Sequence, residues 1–207
     1  MLSKTIQILT GTLLFISLSQ TAQAGPYGTL GLSIESIQPT DRFNNFTGTG
    51  INARLGYNFG RYFGLESEGQ IGLSGEGEKS SFLTNGEIQQ KTTHDYKGAW
   101  ALYLRPQLPV SENLTLSLRT GFGVKYFDRT VDNPFLGMTD PTILVIQDTS
   151  TLLHGALGAS VEYNFGTQNR DGLRLDFTQR YHPGSLSDGE DEAFSNSQVT
   201  VSYSRKF

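Results

Sequence analysis

Apolar and polar residues alternate along this chain over runs longer than the strands of most soluble domains. A period of two sends neighbouring side chains to opposite faces of an extended strand. Eight segments carry it, while a helical period is hard to find. YGTLGLSIE (27–35) places Leu30, Leu32 and Ile34 on one face. GINARLGYNF (50–59) sets Ile51, Ala53, Leu55, Tyr57 and Phe59 against Asn52, Arg54, Gly56 and Asn58. FGLESEGQIGL (63–73) sets Phe63, Leu65, Ile71 and Leu73 against Glu66, Glu68 and Gln70. YKGAWALYLRP (96–106) sets Tyr96, Trp100, Leu102 and Leu104 against Lys97, Tyr103 and Arg105. LTLSLRTGFGVKY (114–126) sets Leu114, Leu116, Leu118, Phe122, Val124 and Tyr126 against Arg119 and Lys125. LLHGALGASVEYNF (152–165) sets Leu153, Leu157, Val161, Tyr163 and Phe165 against His154, Ser160, Glu162 and Asn164. LRLDFTQRYH (173–182) sets Leu173, Leu175, Phe177 and Tyr181 against Arg174, Asp176, Thr178, Arg180 and His182. QVTVSYSRKF (198–207) carries Val199, Val201, Tyr203 and Phe207, with Arg205 out of pattern.

Most of these runs reach the roughly 9–11 residues of a tilted membrane strand, against about 5–6 for an average soluble one. The connections alternate in length: QPTDRFNNFTG is long and Gly60-Arg61-Tyr62 short, and the chain repeats long, short to its end. That order predicts an all-β, eight-stranded antiparallel up-and-down barrel with one elaborated rim and one tight rim.

A soluble barrel turns its charges outward, and a small membrane barrel turns them inward. The aromatic residues choose between these. Threaded as a barrel, the chain places Tyr57, Phe59, Phe63, Tyr163, Phe165 and Phe207 near the tight rim on the apolar face. Tyr96, Trp100, Tyr126 and Tyr181 fall toward the other rim on that face. Two aromatic belts around an aliphatic middle mark a surface in contact with lipid. The charged face then lines a lumen that eight strands leave just wide enough for side chains to fill. Its expected charge network is Arg54, Glu66, Glu68, Lys97, Arg105, Arg119, Glu162, Arg174, Asp176 and Arg180. Buried charges have to pair. The tight turns predict Arg54 opposite Glu66 or Glu68, and Glu162 near Arg174 or Asp176. Inward glycines such as Gly56 and Gly121 are expected to leave room for the long heads, and surplus bases to stand near a rim in water.

The first 24 residues read as a cleavable secretory signal: Lys4, an apolar run from Ile6 to Leu18, and the small-x-small site Ala22-Gln23-Ala24. Residues 25–207 then form one domain. Cysteine is absent, which removes disulfides, thiolate metal ligands and a lipid-anchored N-terminus. No basic stripe suggests nucleic acid.

GYNFGRYFGLESEGQIG and the terminal VTVSYSRKF resemble the small outer-membrane β-barrel family, which includes OmpA-type transmembrane domains and OmpX-like, porin-like proteins. The resemblance implies a Gram-negative outer membrane, with both termini periplasmic and four loops outside. It implies outer-membrane lipid and lipopolysaccharide as surroundings, a monomer, and a role in envelope integrity or surface interaction rather than catalysis. Val199, Val201, Tyr203 and Phe207 resemble the signal read by the barrel-assembly machinery, from which Arg205 departs. No cofactor or metal is implied. The alternatives are a small pore, a lipid-modifying barrel enzyme and a soluble lipocalin-like barrel.

An enzyme would need a nucleophile, a base and an orienter within hydrogen-bond reach. The candidates are His94 beside Asp95, His154, and His182 with Ser185 and Asp188. Lipid A deacylases of similar size place a serine two residues after the strand histidine, where this chain has Ala156. The long loops are acidic, with Glu76, Glu78 and Glu87, then Asp132, Asp140 and Asp148, then Asp188, Glu190, Asp191 and Glu192. Their spacing matches no calcium loop.

Overall fold

The computed structural model describes residues 24–39, 45–82, 88–132, 145–181 and 194–207. The expected signal segment lies outside them apart from Ala24, as do Glu87, Asp140, His182, Ser185, Asp188, Glu190, Asp191 and Glu192. Nine strands follow in order: β1 Gly25–Pro39, β2 Phe46–Asn58, β3 Phe63–Ser74, β4 Glu76–Phe82, β5 Ile88–Pro109, β6 Leu114–Asp132, β7 Val145–Phe165, β8 Asp171–Tyr181 and β9 Phe194–Lys206. All pairings are antiparallel, in the spatial order β3-β2-β1-β9-β8-β7-β6-β5-β4. A further pairing, β3 with β5, closes the ring.

The barrel has eight staves, because β3 and β4 are one stave interrupted at Gly75. Both halves pair with β5, Phe63–Ile71 along its second half and Glu76–Phe82 along its first. Gly75 sits at φ 145°, a backbone conformation that side-chain-bearing residues rarely adopt. Through β3 the ring is closed and each stave finds backbone partners on both sides, while β4, paired only with β5, extends beyond it.

The distribution of apolar surface is inverted relative to a soluble domain. Leu55, Leu118, Leu157, Leu175 and Val201 are all more than half exposed, while Arg54, Arg119, Arg174, Asp176 and Arg180 are almost fully buried. Exposed aliphatic and aromatic side chains run along every stave, far beyond the few hundred Å² of apolar patch that a soluble monomer shows. A soluble lipocalin-like barrel requires the opposite facing. The aliphatic middle is not pure: Phe122 and Phe177 stand in it, exposed, beside Gly155 and Ala159 on the neighbouring strand.

Two sequence expectations fail at one place. Tyr96 is buried inside the barrel, not on the outer belt, and Lys97 points outside, not into the lumen. The cause is a β-bulge. Tyr96 pairs with Phe127 and Gly98 with Tyr126, so Lys97 is an extra residue on β5. One inserted residue reverses the parity of everything beyond it. Lys97 bonds Asp95 at 2.5 Å and lies 3.4 Å from Asp128, on the outer surface. Beyond the bulge the interior turns apolar: Tyr96 packs with Ile37, Phe127 and Leu152, and Phe46 lies against the cluster.

Candidate functional site

The lumen between this apolar cap and the short-turn rim is filled by interlocked charges. Alternation on β1, β2, β3, β5, β6, β7 and β8 delivers them to one enclosed face. Glu68 is the hub. It accepts from Arg54 Nε at 2.7 Å, Arg119 Nη2 at 2.6 Å and Arg180 Nη2 at 2.7 Å. Asp176 receives Arg54 Nη1 at 2.6 Å and Arg174 Nε at 2.9 Å. Glu66 receives Arg174 Nη1 at 2.5 Å and Tyr27 Oη at 2.7 Å, with Arg119 Nε 3.0 Å away. The Arg119 guanidinium also lies over the Tyr103 ring, 3.9 Å from its centroid.

Toward the short-turn rim, Arg105 bonds Glu162 at 2.7 Å and Ser117 at 3.1 Å, and Ser204 donates to Glu162 at 3.0 Å. Toward the cap, Glu35 gathers Lys125, Asn196 and, at 3.1 Å, Arg180. The Lys125 ammonium lies 4.6 Å from the centre of the Tyr96 ring, where the charged zone meets the apolar one. Gln70 joins the walls, accepting from Gln198 at 2.9 Å and donating to Ser33 at 2.9 Å.

An isolated ion here would pay a desolvation penalty of several kcal/mol. Each of Glu35, Glu66, Glu68 and Asp176 is offset by at least two cations, and the planar guanidinium fork lets one arginine serve two acids. The result is a rigid plug. Of the ten charges expected there, nine are in the lumen and Lys97 is not. Arg54 stands opposite Glu68 in register, as the tight turn implies. Glu162 stands opposite Arg174, yet its close ion pair is with Arg105.

Glu35 and Lys125 are the charges that the network expectation lacks. Both lie on inward parity at the far ends of alternating segments. The lumen's arginines are all buried and do not stand in water; the inward base at a rim is Lys206, which is half-buried. The glycines do not make room for the charges either. At Gly56 the space of an absent Cβ is taken by the Tyr27 ring, and at Gly121 by the Leu102 carbonyl.

Tyr57, Phe59, Phe63, Trp100, Tyr126, Tyr163, Phe165, Tyr181 and Phe207 all face outward. So do Val199, Val201 and Tyr203, and Arg205, which lies 3.5 Å from Asp171. His154 is buried on the inward face of β7, and Ala156 is next on that face. Among the described residues, no group of three or more histidines and carboxylates is placed to hold a metal ion.

Comparison with curated protein sequences returns no match. Among solved structures, the fold resembles Neisserial surface protein A (NspA) with a TM-score of 0.54 at 10% identity, over 91% of this chain and 100% of that one. It also resembles Ail, the attachment invasion locus protein of Yersinia pestis, with a TM-score of 0.51 at 12% identity, over 89% and 100%. At such identities the likeness is one of fold. The family model described as the outer membrane protein beta-barrel domain matches residues 8–207. With an apolar belt outside, a charge network inside and that match over nearly its whole length, the chain belongs to the outer-membrane β-barrel family.

Proposed function

We propose that the protein is a non-conducting, non-catalytic wall of the Gram-negative envelope that acts through its four long loops. Residues 1–24 direct its export, and the short-turn rim and both termini face the periplasm. The observation that carries the reading is the plug. Glu66, Glu68, Asp176 and four arginines bridge the barrel from wall to wall in ion pairs of 2.5–3.0 Å. Ions crossing this layer would have to break several charge-assisted bonds together. The acidic loops are the natural surface for contact, with lipopolysaccharide and the barrel-assembly machinery as partners of the wall. Ail has been solved with the heparin analogue sucrose octasulfate. The carboxylates in this chain's loops would repel such a polyanion, so its surface partner is of another chemistry.

The test is conductance in planar lipid bilayers. The refolded protein is expected to give no unit steps. Regular steps that change size when Arg119 or Arg54 is replaced by glutamine would overturn the closed-wall reading.

A further inference from the structure

A cavity of about 530 Å³ opens at the short-turn rim, on the near side of the plug. Its floor is Tyr27, Arg105 and Glu162, and Lys206 and Arg61 stand in its wall. Five carboxamides, Asn58, Gln107, Asn164, Gln168 and Asn169, make up much of the rest, and Glu112 adds one further carboxylate, so three bases face two acids. We propose that this vestibule binds a small, polyhydroxylated anion of sugar-phosphate size.

Pockets for apolar ligands are lined mainly by hydrophobic and aromatic side chains. This one presents amides, each both donor and acceptor, which is the complement of a hydroxyl-rich molecule. The charge preference comes from Lys206. The Arg105 guanidinium is already held by Glu162 and Ser117. The Lys206 ammonium instead donates to a neutral acceptor, Asn164 Oδ1, at 2.7 Å. An ammonium has three donors, and among the described residues no carboxylate lies within ion-pair distance of this one.

The walls are built before any ligand arrives. The Asn169 amide ties two turns together by donating to Asn113 Oδ1 at 3.1 Å and to the Glu112 carbonyl at 3.3 Å. Gln107 donates to Asn58 Oδ1 and the Gly60 carbonyl, both at 3.3 Å. The Lys206 amide is fixed by the Arg170 carbonyl at 2.8 Å. The volume falls inside the range of roughly 300–1,000 Å³ typical of small-molecule sites. The orientation proposed above would draw the ligand from the periplasm. Binding in detergent does not depend on that orientation, so the two readings fail separately.

The experiment is a titration of the isotope-labelled protein in micelles, followed by amide chemical shifts. Glucose 6-phosphate is the probe, with glucose and inorganic phosphate as separate arms. Saturable shifts are expected around Asn58, Gln107, Asn164, Asn169 and Lys206 with the sugar phosphate, and weaker binding with either part alone. Lys206→Gln is expected to weaken binding about tenfold by removing one charge-assisted bond, while Lys97→Gln on the outer surface leaves it unchanged. Absence of saturable shifts on the unmodified protein overturns the proposal. So does equal binding of glucose, equal binding of phosphate, or full affinity in Lys206→Gln.

Discussion

At the scale of single residues, stability is concentrated in a few side chains that no solvent can replace. Glu68 holds three guanidiniums, and its removal leaves them facing one another without that acid. Removing one partner of a buried ionic group typically destabilises by about 3–5 kcal/mol. Glu68→Gln is therefore expected to lose stability on that order, read by urea unfolding in lipid vesicles. Glu112→Gln, in the exposed 110–113 turn, is expected to stay within about 0.5 kcal/mol of the parent. A parent-like unfolding midpoint for Glu68→Gln would show that the network is ornamental. Gly56 tests the same layer sterically. A methyl there would meet the Tyr27 ring, which donates to Glu66. Gly56→Ala should cost about 1–3 kcal/mol by overpacking, and Gly56→Ala combined with Tyr27→Ala should recover the steric part in the same assay.

At the scale of strands, the alternation in the sequence carries most of the fold, and its failures have one cause. Where a segment pairs without interruption, as LRLDFTQRY (173–181) does against β7 and β9, parity alone assigns Leu175 to the outer face and Asp176 to the lumen. Parity cannot survive an inserted residue, and nothing local in Tyr96-Lys97-Gly98 announces one. The bulge is visible only in the pairing with Phe127 and Tyr126. The apolar cap was hidden for a related reason: Ile37, Phe127 and Leu152 are apolar residues on the charged parity, legible only once the strands are aligned. Because the chain has no cysteine, single substitutions can be labelled without background. A cysteine in place of Tyr96 should resist both a bilayer-dissolved probe and a bulky aqueous maleimide. Deleting Lys97 should remove the bulge and restore strict alternation, with position 96 still opposite Phe127 and facing inward, so its protection from the bilayer probe should persist. Reactivity of position 96 with the bilayer probe after the deletion would mean that Lys97 is not the inserted residue.

At the scale of the molecule, a closed ring with its charges enclosed has one stable setting in a membrane. Charge at the lipid face would lose several kcal/mol, and an apolar lumen would leave the ions without partners. Orientation is thus a property of the whole ring, and Trp100 reports it, being the single tryptophan of the chain. Its ring is 43% exposed on the outer face of β5, and its Nε1 donates to Ser67 Oγ at 3.1 Å across β3. Trp100 stands between the bulge and the short-turn rim, so its facing follows from undisturbed parity, whereas that of Tyr96, beyond the bulge, does not. In vesicles, lipids brominated on their chains should quench its fluorescence strongly, and aqueous acrylamide should quench it weakly. Replacing Ser67 by alanine should leave the quenching intact, because the hydrogen bond orients the ring and the belt holds it in the membrane. If acrylamide quenched Trp100 as freely as in the unfolded chain while brominated lipid did not, the apolar face would be in water and the ring would be facing the wrong solvent.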